Sequence, residues 1–218
     1  MKTTFSQSML ALGVVLATCL PVVADEALKD PSQCTDQAPD EFDVTMTTSK
    51  GDIVIRVHRD WAPIGADRFY NLVKHGYLTE NRFFRIVPNF IVQFGLSGDP
   101  ELNAAWRQAR IKDDPGSQSN KRGTITFATA GADTRTTQLF INLVNNGSLD
   151  NRGFTPFGEV TEGMDVVNKL YQGYGERPQQ GLIVQRGNAY LKEQFPDLDY
   201  IETTSIHVVE SESGKSSD

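Results

Sequence analysis

Apolar and polar residues alternate along several short runs of the chain, which is the pattern of half-buried β-strands. The first run covers residues 42–46, and a second covers residues 53–57 after a Gly-containing turn at 49–52. Two such runs around a tight turn predict an antiparallel hairpin. Further short runs follow at residues 124–128, 138–143, 157–160 and 205–209. These runs predict a mostly β protein.

Helical periodicity occurs in two places. A Pro-containing helix entry at residues 60–63 precedes apolar positions on one face, and Gly76 follows them as a helix end. A second helix is predicted over residues 164–171. Many short strands with two helices favour a β-barrel or sandwich whose ends the helices cover.

The remaining internal segments are rich in turn formers. Residues 97–123 are predicted to form a long surface excursion, and residues 173–181, with their Gly, Pro and Gln, a loop. Residues 187–200 carry aromatic and Leu residues whose spacing predicts a short helix and turn packed on the barrel.

The amino terminus has the features of a secretory signal over residues 1–24. Lys2 supplies the positive charge, residues 9–20 an apolar stretch too short to span a bilayer, and residues 22–24 a small-residue cleavage site. We therefore expect an exported protein without stable membrane insertion, located in the periplasm, the secretory pathway lumen or outside the cell. A second possibility is a lipoprotein-type cleavage box, which would make Cys19 a lipidated first residue.

The rest of the chain divides into three parts. Polar residues 25–40 are predicted to be a flexible leader, residues 41–210 one domain, and residues 211–218 a disordered tail. Cleavage at residue 24 would leave Cys34 as a single thiol without an internal disulfide. Asn146 begins a glycosylation sequon, which has meaning only in a eukaryotic source.

Composition narrows the class of protein. With 39% hydrophobic and 22% charged residues among 218, the chain can build one domain with a sizeable core, and no part of this balance suggests a fibre. The formal net charge of −7 makes nucleic acid an improbable partner. We expect a monomer.

The candidate site begins with an arginine and a glutamine inside an otherwise apolar run. Arg85 and Gln93 lie on either side of a break at residues 88–89, where they could share one surface with Phe90. Such a surface would offer a cationic donor beside an aromatic floor, suited to a small apolar ring with a polar handle. A strand pair with a snorkelling Arg and an edge Gln is the structural alternative.

Most familiar catalytic schemes need groups of residues that this chain does not bring together. Its three histidines, at positions 58, 75 and 207, are scattered, so neither a zinc site nor a Cys/His nucleophile pair has support. A phosphate-binding glycine loop is also missing. We expect no metal and no cofactor.

Rotation about an X-Pro bond needs none of these groups, because no proton is transferred. Its barrier of about 18 to 20 kcal/mol comes from amide resonance, and twisting localises a lone pair on the prolyl nitrogen. A guanidinium donor at that nitrogen would bind the twisted state more strongly than the planar one. Lowering the barrier by roughly 6 to 7 kcal/mol would accelerate rotation on the order of 10⁵-fold.

Four blocks of sequence resemble, in order, blocks of the cyclophilin family of peptidyl-prolyl isomerases. Residues 84–93 resemble the family's Phe-His-Arg-x-x-Pro-x-Phe-x-x-Gln block. The later similarities are to Met-Ala-Asn-Ala-Gly at residues 127–131, Ser-Gln-Phe-Phe-Ile at 137–141, and Leu-Asp with Phe-Gly-x-Val at 149–160. The resemblance covers about residues 42–172.

The family implies a closed antiparallel eight-stranded barrel capped by two α-helices, and an isomerase acting on proline-containing polypeptides to assist folding. By position, the resemblance makes Arg85 the catalytic donor and Gln93 the residue that orients it or the substrate carbonyl. The proline pocket would be lined by Phe90, Ile91, Phe140 and Leu149, and the neighbouring peptide groove bordered by Ala128, Thr129 and Gln138.

Two departures from the family pattern lie at the rim of this pocket. Ser148 stands where many members carry Trp, and the family's pocket His falls near Gly153 or Phe154. Binding of the cyclic peptide cyclosporin is therefore doubtful, whereas proline isomerisation depends on groups that are present.

Two other functions stay open. A non-catalytic proline-peptide binding module or holdase chaperone would keep the pocket without the rate enhancement. A barrel for small apolar ligands would need a hollow interior, whereas Phe127, Leu139 and Ile141 favour a filled one.

Overall fold

The computed structural model describes residues 26–116 and 118–208. The predicted signal peptide, the alternative lipidation at Cys19 and the predicted tail over residues 211–218 lie outside the described residues. The expectations that can be compared with the structure therefore concern the leader from residue 26 and the domain as far as residue 208.

One antiparallel sheet of eight strands is the centre of the fold, as the alternating runs predict. Its order is β3-β4-β6-β5-β7-β2-β1-β8. The strands are β1 (Glu41–Thr48), β2 (Gly51–His58), β3 (Arg85–Val87), β4 (Ile91–Phe94), β5 (Thr124–Phe127), β6 (Leu139–Asn142), β7 (Pro156–Glu162) and β8 (Ile201–Val208). The predicted hairpin over residues 42–57 is the β1–β2 pair, in which Val44 faces Ile55.

The two end strands of this order are β3 and β8, and within residues 26–116 and 118–208 they form no ladder with each other. The sheet curls so that the residues flanking these strands meet. Arg82 and Tyr200 form an isolated bridge, and the Phe83 N–H donates to the carbonyl of Asp199 at 3.0 Å. Full closure of the barrel stays a prediction.

In the part of the chain that the structure describes, four α-helices accompany the sheet, not two. They are α1 (Pro63–Lys74), α2 (Pro100–Trp106), α3 (Met164–Lys169) and α4 (Gln180–Gln194), of which α1, α3 and the second half of α4 were predicted. The turn formers before α2 are a helix start, because the Asp99 carboxylate caps the Glu101 N–H at 2.8 Å. In α4 a non-helical residue, Gly187, interrupts the periodicity, so that the first half of the helix was not predicted. None of the described helices is long and apolar enough to cross a membrane.

The prediction of a surface excursion over residues 97–123 is wrong for the first part of that range, because α2 packs against the core. Its Trp106 is 1% exposed and donates from Nε1 to the carbonyl of Leu28 at 2.8 Å. The hydrogen bond from Trp106 to Leu28 therefore attaches the segment before β1 to the domain.

That segment was expected to be a flexible leader, and residues 26–40 are instead folded onto the domain. Two 3-10 helices, Glu26–Lys29 and Pro31–Gln33, precede β1, and Leu28 is fully buried. The Ala38 N–H donates to Asp67 Oδ1 on α1 at 2.9 Å. One buried leucine and main-chain hydrogen bonds hold the segment, and a polar average composition does not reveal them.

The interior is filled with side chains. Phe127, Leu139 and Ile141 are fully buried in the main core, which excludes the hollow barrel. A second apolar cluster lies under α4 and includes Phe84, which immediately precedes β3. The helix thus supports the strand that carries Arg85.

Candidate functional site

The β3–β4 hairpin brings the predicted arginine and glutamine together. Arg85 and Gln93 are register partners, and Nη1 of Arg85 donates to Oε1 of Gln93 at 3.1 Å. Gln93 in turn donates from Nε2 to Oε1 of Gln138 at 2.8 Å. Gln93 is 6% exposed, so its amide orientation is set by these two partners and not by solvent.

The break predicted in this hairpin is a tight turn. Asn89 has φ 57°, a left-handed conformation that Asn tolerates better than most residues, and the Phe90 N–H donates to the carbonyl of Val87 at 3.0 Å. The turn places Phe90 at the edge of the sheet, next to the surface that carries Gln93.

A cavity of about 300 Å³ opens beside Arg85. Its floor is apolar, with Ile91, Phe140 and Leu149 all buried. The full lining consists of Arg85, Phe90, Ile91, Gln93, Ala128, Thr129, Phe140, Leu149, Arg152 and Phe154. The structure therefore assembles eight of the nine predicted site residues around one cavity.

Gln138, the ninth, lines an adjoining cavity of about 470 Å³ together with Ala130 and Thr134. Ala128 and Thr129 were expected to border that neighbouring groove, and they lie on the first cavity. The strip after β5 separates the two cavities, and Thr129 Oγ1 lies 2.9 Å from Thr134 Oγ1 within it.

Phe154 lines the cavity but was not predicted as a site residue. The sequence offered one signal for it, since the family's pocket His falls near Gly153 or Phe154. Its ring meets the Phe140 ring edge-on, with centroids 5.7 Å apart and planes at 70°. The guanidinium of Arg152 lies 5.9 Å from the centre of the Phe154 ring. The phenyl ring of Phe154 thus forms one wall of the cavity.

A buried network of amides supports the cavity from behind, and sequence patterns did not reveal it. Asn146 Nδ2 donates to the carbonyl of Phe90 at 3.0 Å and to Asn142 Oδ1 at 2.8 Å. Asn120 Nδ2 donates to the carbonyl of Phe154 at 2.8 Å. The predicted glycosylation nitrogen of Asn146 is therefore engaged in holding the Phe90 side of the cavity.

Asp150 organises the other end of this network. Its carboxylate accepts hydrogen bonds from Ser119 Oγ at 2.6 Å and from the main-chain and side-chain nitrogens of Asn120. Burial acts to raise the pKa of Asp150, but these hydrogen bonds outweigh it and hold the pKa below its ordinary value of 3.8.

Glu176, which is not among the predicted site residues, also contacts Arg85 through its carboxylate. Oε1 of Glu176 accepts from Arg85 Nε at 2.7 Å and lies 2.5 Å from Nη2. Glu176 belongs to the segment predicted as a loop, 91 residues further along the chain.

The chemistry of the cavity follows from its lining. The lining includes no His, Cys, Lys, Asp or Glu, so it offers no general base that could activate the Thr129 hydroxyl as a nucleophile. It offers charged and amide hydrogen-bond donors beside an apolar floor. Over the described residues no group of three or more His, Cys, Asp and Glu residues could hold a metal ion. The arrangement suits binding of an apolar ring and electrostatic stabilisation at its edge.

Comparison with protein families matches residues 43–188 to the family described as cyclophilin type peptidyl-prolyl cis-trans isomerase/CLD. A peptidyl-prolyl cis-trans isomerase of Acinetobacter baylyi is 35% identical over 58% of this chain and 70% of its own length. Peptidyl-prolyl cis-trans isomerase A of Dickeya dadantii is 33% identical over 65% of this chain and 81% of its own.

Among solved structures, a cyclophilin type peptidyl-prolyl cis-trans isomerase of Cryptosporidium parvum has the same fold. It superposes with a TM-score of 0.57 at 20% identity, covering 78% of this chain and 99% of that one. A second structure of that protein, determined in the presence of the dipeptide Ala-Pro, gives a TM-score of 0.56 at 21% identity.

Proposed function

Because the chain belongs to the cyclophilin-type peptidyl-prolyl cis-trans isomerase family, we propose that it assists folding of exported proteins by rotating their X-Pro bonds at the cavity beside Arg85. The enzyme class is that of the family. The proposal adds the residues that carry the reaction, the polypeptides that are its substrates, and the compartment.

The observation that carries the proposal is the position of the Arg85 guanidinium at the rim of a cavity of about 300 Å³ with an apolar floor. As an X-Pro bond twists, its resonance is lost and the prolyl nitrogen gains a localised lone pair. A guanidinium N–H directed at this nitrogen stabilises the twisted state more than either planar isomer. Arg85 is thus the proposed catalytic donor.

The other lining residues hold the substrate while its bond rotates. Phe90, Ile91, Phe140 and Leu149 would enclose the pyrrolidine ring, with Phe154 as an additional wall. Ala128 and Thr129 would border the peptide chain, and Gln138 would contact it in the adjoining groove. Gln93 would orient Arg85. A closed barrel, joined through Arg82 and Tyr200, is the proposed rigid frame.

Export rests on the signal sequence predicted at residues 1–24, and places the enzyme in the periplasm, the secretory lumen or the medium. X-Pro isomerisation takes tens to hundreds of seconds uncatalysed and limits the folding of many chains. An exported isomerase acting as a monomer on unfolded polypeptides would remove that delay. Cyclosporin binding is expected to be weak, because Ser148 stands at the position of the rim Trp, and Gly153 or Phe154 near that of the pocket His.

A binding-only module or holdase is the second candidate, and one observation favours it. Glu176 already occupies two nitrogens of Arg85, so the donor could be neutralised. In that case proline peptides would bind the cavity without faster isomerisation.

A protease-coupled assay on an X-Pro peptide separates the two candidates. The proposal expects catalysis by the wild-type protein and a large loss in Arg85→Ala. Arg186→Ala is the matched control, because Arg186 is half-exposed on α4 and pairs with Glu193. Peptide binding without catalysis by the wild type, or full activity in Arg85→Ala, would refute the enzyme mechanism.

A further inference from the structure

We propose that Glu176 is a positioning residue for Arg85, and that residues 171–199 are built to present it. The inference rests on the proposed role of Arg85 in catalysis. One carboxylate oxygen, Oε1, contacts both Nε and Nη2 of the arginine, at 2.7 and 2.5 Å. Gln93 holds Nη1 at 3.1 Å on the opposite side of the guanidinium.

The main chain of the segment is attached to the strand that carries Arg85. The N–H of Ile86, the next residue in β3, donates to the carbonyl of Gly175 at 3.3 Å. Gly175 and Glu176 therefore run alongside Arg85 and Ile86. This main-chain contact fixes the backbone of Glu176 next to β3, so the carboxylate does not depend on a long, flexible side chain alone to reach the guanidinium.

Side chains stiffen the turn that contains Gly175. Arg177 donates from Nη2 to the carbonyl of Gly173 at 3.0 Å, and its guanidinium lies 5.0 Å from the centre of the Tyr174 ring. Tyr174 donates from its hydroxyl to Asp197 Oδ2 at 2.8 Å. The turn is thus tied to the chain just before β8.

A second set of contacts fixes the ends of the segment. The Tyr171 N–H donates to Asp199 Oδ2 at 2.7 Å, and the Tyr174 and Phe195 rings meet edge-on with centroids 5.1 Å apart. Gly187 of α4 packs so closely on Gly98 that a Cβ atom would lie 2.0 Å from the Gly98 carbonyl oxygen. The first two contacts close the segment on itself, and the third packs α4 against the chain just before α2.

The hydrogen-bond capacity of Arg85 shows how many of its N–H groups remain for a substrate after Glu176 and Gln93 have bound theirs. A guanidinium has five N–H groups. Glu176 takes the Nε hydrogen and one on Nη2, and Gln93 takes one on Nη1. One N–H on each terminal nitrogen remains for a peptide in the cavity, and the plane of the guanidinium is set from two sides.

Glu176 is expected to help catalysis by orienting Arg85 more than it hinders catalysis by neutralising the charge of Arg85. The Glu176 side chain is 61% exposed and that of Arg85 25%, so water screens much of the carboxylate's attraction. An arginine freed from Glu176 would regain side-chain freedom, which ordering in the transition state must then remove. We therefore expect Glu176 to raise kcat.

Steady-state kinetics of Glu176→Ala and Glu176→Gln on an X-Pro peptide test the inference, with Glu193→Ala as the control. Glu193 is equally a paired, exposed carboxylate, but its partner is Arg186 on α4. We expect kcat to fall about two- to fivefold in Glu176→Ala with KM unchanged, the range measured for exposed ion pairs. Glu176→Gln keeps an acceptor oxygen and should fall between Glu176→Ala and the wild type.

Exchange of the Arg85 Nε hydrogen with water, followed by NMR, gives a readout independent of activity. The resonance is assigned by its loss in Arg85→Ala. Exchange should be faster in Glu176→Ala and unchanged in Glu193→Ala, with the melting temperature of both variants near that of the wild type.

The outcomes separate this inference from the proposed function. Loss of activity in Arg85→Ala, together with unchanged or raised kcat in Glu176→Ala, would overturn the positioning role alone. Unchanged exchange of the Arg85 hydrogen would also overturn it. Full activity in Arg85→Ala would overturn both proposals.

Discussion

Arg85 and Gln93 face each other across β3 and β4, and Nη1 of the arginine donates to Oε1 of the glutamine at 3.1 Å. The strand register itself thus places the guanidinium over the cavity. Gln93 cannot turn away without losing its second hydrogen bond, to Gln138 at 2.8 Å. The orientation of the donor is therefore tied to the main chain of three neighbouring strands or strand ends.

Replacing Gln93 by Ala should lower kcat about tenfold. Hydrogen bonds to charged groups contribute about 1.5 to 3 kcal/mol, and Glu176 still holds the other side of Arg85. Gln138→Ala should lower kcat less, because Gln138 reaches Arg85 only through Gln93. Steady-state assays of both variants check this order, and equal kcat values in wild type and Gln93→Ala would contradict it.

Phe154→Ala should weaken peptide binding about two- to tenfold. Edge-to-face aromatic pairs contribute about 0.5 to 1.5 kcal/mol beyond their buried area, and the Phe140 ring would lose its partner. Phe154→Leu, which keeps apolar volume, should lose less. Titration of each variant with a proline peptide measures the effect. A Kd unaffected by Phe154→Ala would show that the ring is not part of the binding surface.

Asp150 should make stability depend on acidity. Its pKa is lowered in the folded protein, so its contribution is complete above the unfolded value and is lost as pH falls through the folded one. Below the ordinary value of 3.8 the folded state should therefore lose stability. Urea unfolding at pH 7 and pH 3 should show a smaller difference for Asp150→Asn than for wild type. Parallel losses in the two proteins would exclude this role.

Leu28→Ala should lower the free energy of unfolding by about 2 to 4 kcal/mol, because Leu28 is fully buried. Lys29→Ala is the control, since Lys29 is exposed and pairs only with Glu26 among the ion pairs of the described residues. Chemical denaturation of both variants measures the difference. A flexible leader would instead give two variants of wild-type stability.

Local patterns of sequence were sufficient for the strands and for the centre of the site. Alternation located the β1–β2 hairpin, and one arginine and one glutamine in an apolar run identified the β3–β4 pair. The ordered blocks supplied Ile91, Phe140 and Leu149, but not Arg152 or Phe154. Such features depend on residues close in sequence or on a shared family pattern.

Features that depend on distant or interrupted contacts were not predicted. Gly187 breaks the period of α4, and Leu28 is the single leucine in a polar segment. Glu176 meets Arg85 across 91 residues, in a stretch whose composition predicts only a loop. No local periodicity encodes such a contact, because it depends on how the chain between α3 and α4 packs alongside β3.

The most direct test of the account is NMR exchange of an X-Pro peptide at saturating protein, comparing wild type with Arg85→Ala. The account predicts wild-type acceleration on the order of 10⁵-fold over the free peptide. Arg85→Ala should reduce that rate by about 10²- to 10³-fold while peptide affinity changes little, as for loss of a transition-state donor. Equal exchange rates in the two bound complexes would contradict the central claim that the Arg85 guanidinium stabilises the twisted bond.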